Sequence, residues 1–371
     1  MATSSKRLTS LDFFRGLTMM FMVLVNNPGS WNYVFGPLEH SEWNGCTPTD
    51  LVFPFFLYIV GVAMAFSFAR RLQESTGRWF LYWKIIRRTL ILILLGFFLG
   101  LYGRKFNFHI VRIPGVLQRI GLCYFFASMI VLHFKKKGQI IWSVGLLLGY
   151  WGLMVLVPFP GKGTNPWALG SNFAQYVDNL LLKGHMWTPD FDPEGLISTI
   201  PAIVTTLLGY FTGVWLRSKK EPLEKTNRMF ITANILLILA IIWAHWMPIN
   251  KQLWTSSYVL YTGGFAIDFL AISYWLIDVK GIRWFTPPFL VYGSNSILAY
   301  VGSQFIAATM FLCKVPLRDG TRISLQDYIF SNVFQPVFGN WYGSLMFAIT
   351  YVLLWLGILT IFYKKRIFIK I

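Results

Sequence analysis

Charge is what this sequence has least of. Of its 371 residues only 13% are Asp, Glu, Lys or Arg, about half the share of an average soluble domain. Hydrophobic residues make up 55% and the mean hydropathy is +0.54. Such a composition excludes a soluble globule, because its outer surface needs lipid as solvent. Acids are scarcer than bases, 15 against 33, for a net charge of +18. The cations are scattered between apolar runs and form no basic patch. That distribution argues against nucleic acid and for loops beside anionic headgroups. Cysteine is nearly absent: Cys46, Cys123 and Cys313 give neither a disulfide framework nor zinc spacing, and no metal is expected. Heptads, low-complexity tracts, repeats and a dividing linker are also missing, so residues 1–371 are expected to form a single domain. No small-residue cleavage site follows the first apolar run, which therefore reads as a retained helix.

The apolar residues are gathered into runs. A spanning helix needs about 20 of them, and ten runs qualify: residues 11–27, 51–69, 89–103 (extending back to 85), 115–132, 140–157, 195–216, 229–247, 258–277, 289–312 and 341–363. The expected fold is all-α, a polytopic membrane protein with about ten transmembrane helices. Lys and Arg set the orientation. With the N-terminus inside, inner segments carry 22 cations and outer segments 9, leaving only Arg15 and Arg119 within spans. Both termini are thus expected in the cytoplasm. The first outer loop, 28–49, has no cation, and the longest, 158–194, is large enough for a lid or substrate shelf.

Charges inside spans are costly and usually face the bundle interior. Asp12 and Arg15 stand three residues apart on the first helix and can pair along one face. Arg119 follows Arg112 by seven residues in RIPGVLQR, which on a continuous helix puts both on one face. A buried Arg119 wants an anion, either a ligand's or a carboxylate such as Asp268. Among the five histidines, His133 sits beside the run Lys135–Lys137 and His245 in an aromatic belt, while His109 and His185 lie in loops. His40 differs. It lies in HSEWNGCTPTDLVFPFF, where Thr47 or Thr49 can cap the second span, Pro48 suits its first turn, and Asp50 suits its dipole. His40 with Asp50 ten residues on, at one membrane face, is either an oriented base or loop polarity.

The blocks SLDFFRG, VLVNN, HSEWNGCTPTDLVFPFFLYIVG, RIPGVLQRIGLCYF, DPEGLISTIPAIVTTLLG, PINKQLWTSSYVL, DVKG and NSILAYVG occur in that order between Ser10 and about residue 305. In this the chain resembles the heparan-alpha-glucosaminide N-acetyltransferase family, and LDFFRG alone resembles a wider group of membrane acyltransferases. The resemblance implies transfer of acetyl from cytosolic acetyl-CoA to the amine of a terminal glucosamine across the membrane. It implies His40 as the essential histidine, with Asp50 and Asn26 as companions. It further implies a bacterial member in an inner membrane, without the lysosomal enzyme's extra N-terminal luminal portion and helix. The expected partners are acetyl-CoA, an amino-sugar acceptor and lipid, with no nucleic acid and with room for a homodimer.

The chemistry asks for the same groups. An amine attacks only when neutral, and imidazole is the side chain that takes its proton near pH 7. His40 could instead carry the acetyl group itself. Asp50 would fix its tautomer, while Asn26 or the backbone of Trp43–Asn44–Gly45 would stabilise the oxyanion. Arg15, Arg119, Lys280 and Arg283 are the expected phosphate contacts, with the thioester passing Asn295 and Ser296. The alternative function is an amino-sugar carrier without chemistry. A carrier has little need for one imidazole in that block, and no inverted repeat stands out. A structural membrane subunit is the third reading, and the family resemblance speaks against it.

Overall fold

The computed structural model describes residues 8–73, 78–317 and 320–369. Four cations of the count above, Lys6, Arg7, Arg318 and Lys370, lie outside them. In lipid every backbone polar group must be bonded within its own segment, so each apolar run folds as a helix. The helices are α1 (Thr9–Val25), α2 (Val52–Gln73), α3 (Arg78–Gly103), α4 (Val116–His133), α5 (Lys136–Leu156), α6 (Phe173–Leu182) and α7 (Thr199–Leu216). There follow α8 (Pro222–Trp243), α9 (Ser256–Tyr274), α10 (Pro287–Ser294), α11 (Ser296–Leu312), α12 (Leu325–Ile329) and α13 (Gln335–Lys364). The only strands among the described residues are β1 (Lys314–Pro316) and β2 (Arg322–Ser324), an antiparallel hairpin pairing Val315 with Ile323.

Each of the ten predicted runs falls on a helix, yet not all are spans by length. Among the described residues eight helical stretches are long and apolar enough to cross a membrane. The pair α10 and α11, bent by 81° at Asn295, makes a ninth. The first run is helical over only 17 residues, short of the ~20 a straight span requires.

The chain divides into two compact units. The first holds residues 8–40, 47–52 and 272–369. Its centre is the crossing of α1 with α10. A Cβ on Gly16 would lie 1.7 Å from the Phe289 carbonyl oxygen, and one on Gly293 would lie 2.2 Å from that of Asp12. Only glycine permits this approach, and packing by close approach is how helices associate where lipid removes the hydrophobic drive. Phe13 meets Phe285 and Phe289 edge-on beside it. At the far end of α1 the loop after Asn27 is stitched to α13, with the Gly29 N–H on the Ser344 carbonyl at 3.1 Å. Tyr33 and Phe35 pack on Trp341, just past the break that Gly339 (φ 72°) makes in α13. This unit therefore has two ends, separated by the length of α1, about 25 Å at 1.5 Å per residue.

The second unit holds residues 41–46 and 53–271. Here α2 and α7 cross as closely: a Cβ on Gly61 would lie 1.9 Å from the Thr206 carbonyl oxygen, and one on Gly209 would lie 1.9 Å from that of Tyr58. The expected outer loop 158–194 is ordered and contains α6. It packs through Trp167 and Ala174 on Tyr150 and Met154 of α5 and on Met247 and Leu253.

Candidate active site

In the first unit two short turns bring His40 and Asp50 together, Gly36–Leu38 and Pro48–Leu51. Thr47 caps the second in extended conformation and Pro48 fills its first position, where the missing N–H costs nothing. Asp50 comes third in that turn. Its Oδ2 accepts the Thr47 backbone N–H at 3.0 Å, the acidic half of a capping box. Its Oδ1 lies 2.7 Å from His40 Nδ1. The carboxylate is wholly buried while the imidazole is 44% exposed. An ionised carboxylate only accepts, so with Asp50 ionised Nδ1 carries the hydrogen and the ring's basic lone pair is on Nε2. The Thr49 hydroxyl ties this turn to the Pro37 carbonyl at 3.2 Å.

Asn26 ends α1, and its backbone N–H goes to the Met22 carbonyl at 3.2 Å. Among the described residues no hydrogen bond joins its side chain to His40. One candidate oxyanion donor is already committed, because the Gly45 N–H donates to the Ile249 carbonyl at 2.7 Å. The middle of the motif, in the second unit, is a docking element. The Trp43 indole donates to the Trp167 carbonyl at 2.8 Å, and Asn250 Nδ2 donates to Asn44 Oδ1 at 3.1 Å.

Three of the four expected cofactor cations, Arg15, Lys280 and Arg283, lie in the first unit. Arg15 pairs with Asp12 at 3.0 Å. The α1 backbone begins with the Ser10 N–H on Asp278 Oδ2 at 3.0 Å, so the acid of DVKG caps the helix from which Arg15 projects. Lys280 lies over the Trp275 ring at 5.4 Å, and Arg283 Nε donates to the Ile277 carbonyl at 3.3 Å. Both sit on the π-turn Trp275–Val279 and its exit, and both are exposed. Asn295 stands at the bend, fully buried, with its amide in use: Nδ2 donates to the Ile367 carbonyl at 3.0 Å and Oδ1 accepts the Ile369 N–H at 2.9 Å. Ser296 opens α11 and is half-buried.

Arg119 is 1% exposed in the second unit. It meets neither Asp268 nor any other carboxylate in a direct bond among the described residues. Its Nη2 donates to the Gly195 carbonyl at 2.9 Å and to the Ser198 hydroxyl, and its Cζ lies over the Trp254 ring at 5.0 Å. Its Nε and Nη1 have no hydrogen-bond partner among the described residues. The expectation that Arg112 shares its helical face fails because α4 starts at Val116; Pro114 disfavours helix in the residue before it. Arg112 lies outside the helix and grips Asp192 through Nε at 2.7 Å and Nη2 at 2.5 Å, and Glu194 as well. Burial opposes charge on Glu194, but Arg112, Arg119 and Lys251 together outweigh it and hold the carboxyl below its ordinary range. Burial also opposes charge on Arg112, and Glu194 and Asp192 hold its guanidinium above its ordinary value. Nearby, burial pushes the Asp178 carboxyl up to about 6, against the Leu196 N–H it accepts at 2.9 Å.

Three partners, Asp192, Glu194 and Asn250, went unassigned. Thr47, expected as a helix cap, carried a visible signal, the T-x-x-D capping pattern. Asp192 and Glu194 had a weaker one, two acids in DPEG in a chain with 15. Asn250, buried and bonded to both Asn44 and the Leu253 N–H, had none.

Two named proteins and one family are similar to this chain. The relative from Homo sapiens named heparan-alpha-glucosaminide N-acetyltransferase is 32% identical over 420 aligned positions, covering 98% of this chain and 60% of the relative. Its counterpart of the same name in Mus musculus is 31% identical, covering 100% and 61%. The chain thus spans about three fifths of the length of these curated relatives. The family described as heparan-alpha-glucosaminide N-acetyltransferase, catalytic, matches residues 7–249, which include the whole His40–Asp50 motif, and the chain belongs to that family.

Proposed function

We propose that the protein is a membrane N-acetyltransferase that moves acetyl from cytosolic acetyl-CoA to the amine of a glucosamine-type sugar on the non-cytoplasmic side. The observation that carries this is the 2.7 Å contact between a buried carboxylate and a half-exposed imidazole. Such a pair fixes one tautomer and presents Nε2 as base. In a direct transfer the amine nitrogen attacks the thioester carbonyl while Nε2 takes its proton. The carbon–sulfur bond breaks and the CoA thiolate leaves, to be protonated. In a two-step route Nε2 attacks first, CoA leaves, and the acetyl-imidazole passes its acetyl to the amine.

Asn26, at the far end of α1, is the side chain we assign to the developing oxyanion. Arg15, Lys280 and Arg283 supply the cationic end suited to CoA phosphates, for which Arg offers paired donors. Arg119 is a further candidate through its Nε and Nη1 hydrogens. Asn295 and Ser296 mark the bend past which the thioester would run, and Asn295 serves it only if residues 367–369 release its amide. The excess of inner cations supports cytoplasmic termini and, with the resemblance to bacterial members, a bacterial inner membrane.

Purified protein incubated with labelled acetyl-CoA and glucosamine tests the activity. Labelled N-acetylglucosamine is the expected product, and its absence with CoA-free protein would favour the carrier. Orientation is tested in a variant with Cys46, Cys123 and Cys313 replaced. A cysteine at Ser30 or Ser41 should react with an impermeant reagent from outside, and one at Ser218 only after permeabilisation. The reverse pattern would overturn the sidedness.

A further inference from the structure

We infer that Thr47 is a positioning residue for the proposed transfer, holding both members of the His40–Asp50 pair in register; this rests on the function proposed above. Three observations converge on it. Its backbone N–H binds Asp50 Oδ2 at 3.0 Å, which leaves Oδ1 turned to His40. Its hydroxyl oxygen lies 2.6 Å from the carbonyl of Glu39, the residue joined to His40 by one peptide bond. The same oxygen is 3.2 Å from Asp50 Oδ2. One side chain therefore touches the acid and the backbone that carries the base.

The physical logic is a division of labour within one carboxylate. Oδ2 is committed to starting the helix, and Oδ1 to the imidazole. Asp50 is wholly buried, and its rotation would break the bonds of both oxygens at once. The helix cap thereby fixes which oxygen faces His40 and at what angle. On the other side, the Glu39 carbonyl sets the direction in which the chain delivers the ring. Threonine suits the post because its branched Cβ restricts χ1. Valine keeps the shape and the backbone N–H but loses the hydroxyl, which removes the tie to Glu39, the contact with Oδ2 and the side-chain half of the capping box. Serine keeps the hydroxyl with a freer rotor.

The prediction is a loss in turnover without a loss in binding. Thr47→Val should lower kcat about ten- to a hundredfold, less than the 10²–10⁴ that loss of a general base typically costs. KM for acetyl-CoA and for glucosamine should stay within about threefold, and Thr47→Ser should stay within about threefold of wild type in kcat. A readout independent of turnover is the ¹⁵N spectrum of the His40 ring in detergent-solubilised protein. The wild type should show the proton on Nδ1, and Thr47→Val a mixture of tautomers. An unchanged kcat together with an unchanged Nδ1–H signal in Thr47→Val would overturn the assignment. So would a tenfold or larger loss in Thr47→Ser, which alone decides the matter should the valine variant not fold. If the wild type itself makes no product, the proposed function fails, and the ring spectrum still reports whether Thr47 sets the tautomer.

Discussion

Two charged clusters in this protein use buried carboxylates in opposite ways. In the first unit, Asp50 faces an imidazole that is 44% exposed. In the second, Asp192 and Glu194 face Arg112, a guanidinium that cannot lose its proton, and Arg119 holds the adjoining Gly195–Ser198 turn. The second arrangement closes on itself: both acids share one permanent cation, Arg112. The first pairs its acid with an imidazole, a group able to take up and pass on a proton, and leaves that ring half-exposed. A buried acid is thus a lock when its partner is a fixed cation, and a tool when its partner can exchange a proton.

Breaking each cluster separates the two roles. The largest effect is expected at His40. His40→Ala should cut acetyl transfer by at least about 10²–10⁴ and leave thermal unfolding in detergent nearly unchanged. Activity within about threefold of wild type would end the catalytic claim and favour the carrier. Labelled acetyl on the wild-type protein before sugar is added, and absent from His40→Ala, would establish the two-step route. Arg112→Ala should do the reverse. It leaves Asp192 and Glu194 buried without a cation, at a cost of about 3–5 kcal/mol, read as a lower unfolding temperature or lost expression. A variant as stable as wild type would show that the ion cluster is not a lock.

Asp50→Asn sharpens the contrast. Asn can still accept from Thr47 but can present an N–H to His40, so transfer should fall about 10–10²-fold while the fold holds. An active variant would mean that the carboxylate is only a helix cap. The smallest effect is expected at Asp178, whose carboxyl is pushed up to about 6 by burial. Between about pH 4 and 6 the native carboxyl keeps a proton that the unfolded chain has released. Stability from this group is therefore fully present below about pH 4 and lost as pH rises through 6. Asp178→Asn should flatten that decline and add on the order of 1 kcal/mol at pH 7. A pH–unfolding profile unchanged by the substitution would place the charge in a wetter setting than the geometry indicates.

Sequence alone determined the membrane fold, because twenty apolar residues in a row have one stable backbone in lipid. It also determined the His40–Asp50 pairing as a candidate, since Thr47-Pro48 starts a helix and places Asp50 in its first turn. It misjudged Arg112 and Arg119. Helical periodicity relates neighbours on one helix, and the Pro114-Gly115 step ends that relation before α4 begins. Both arginines instead meet the segment 192–198, some eighty residues on in the chain, and no local pattern encodes a contact at that separation. The same holds for Asn295, legible as a polar residue in a span but not as the clamp on residues 367–369. Local pattern fixes which residues are helical and which turns carry a cap. Only the packed structure decides which buried polar group finds which partner, because a buried group must be satisfied by whatever the fold brings within 3 Å, wherever it lies along the chain.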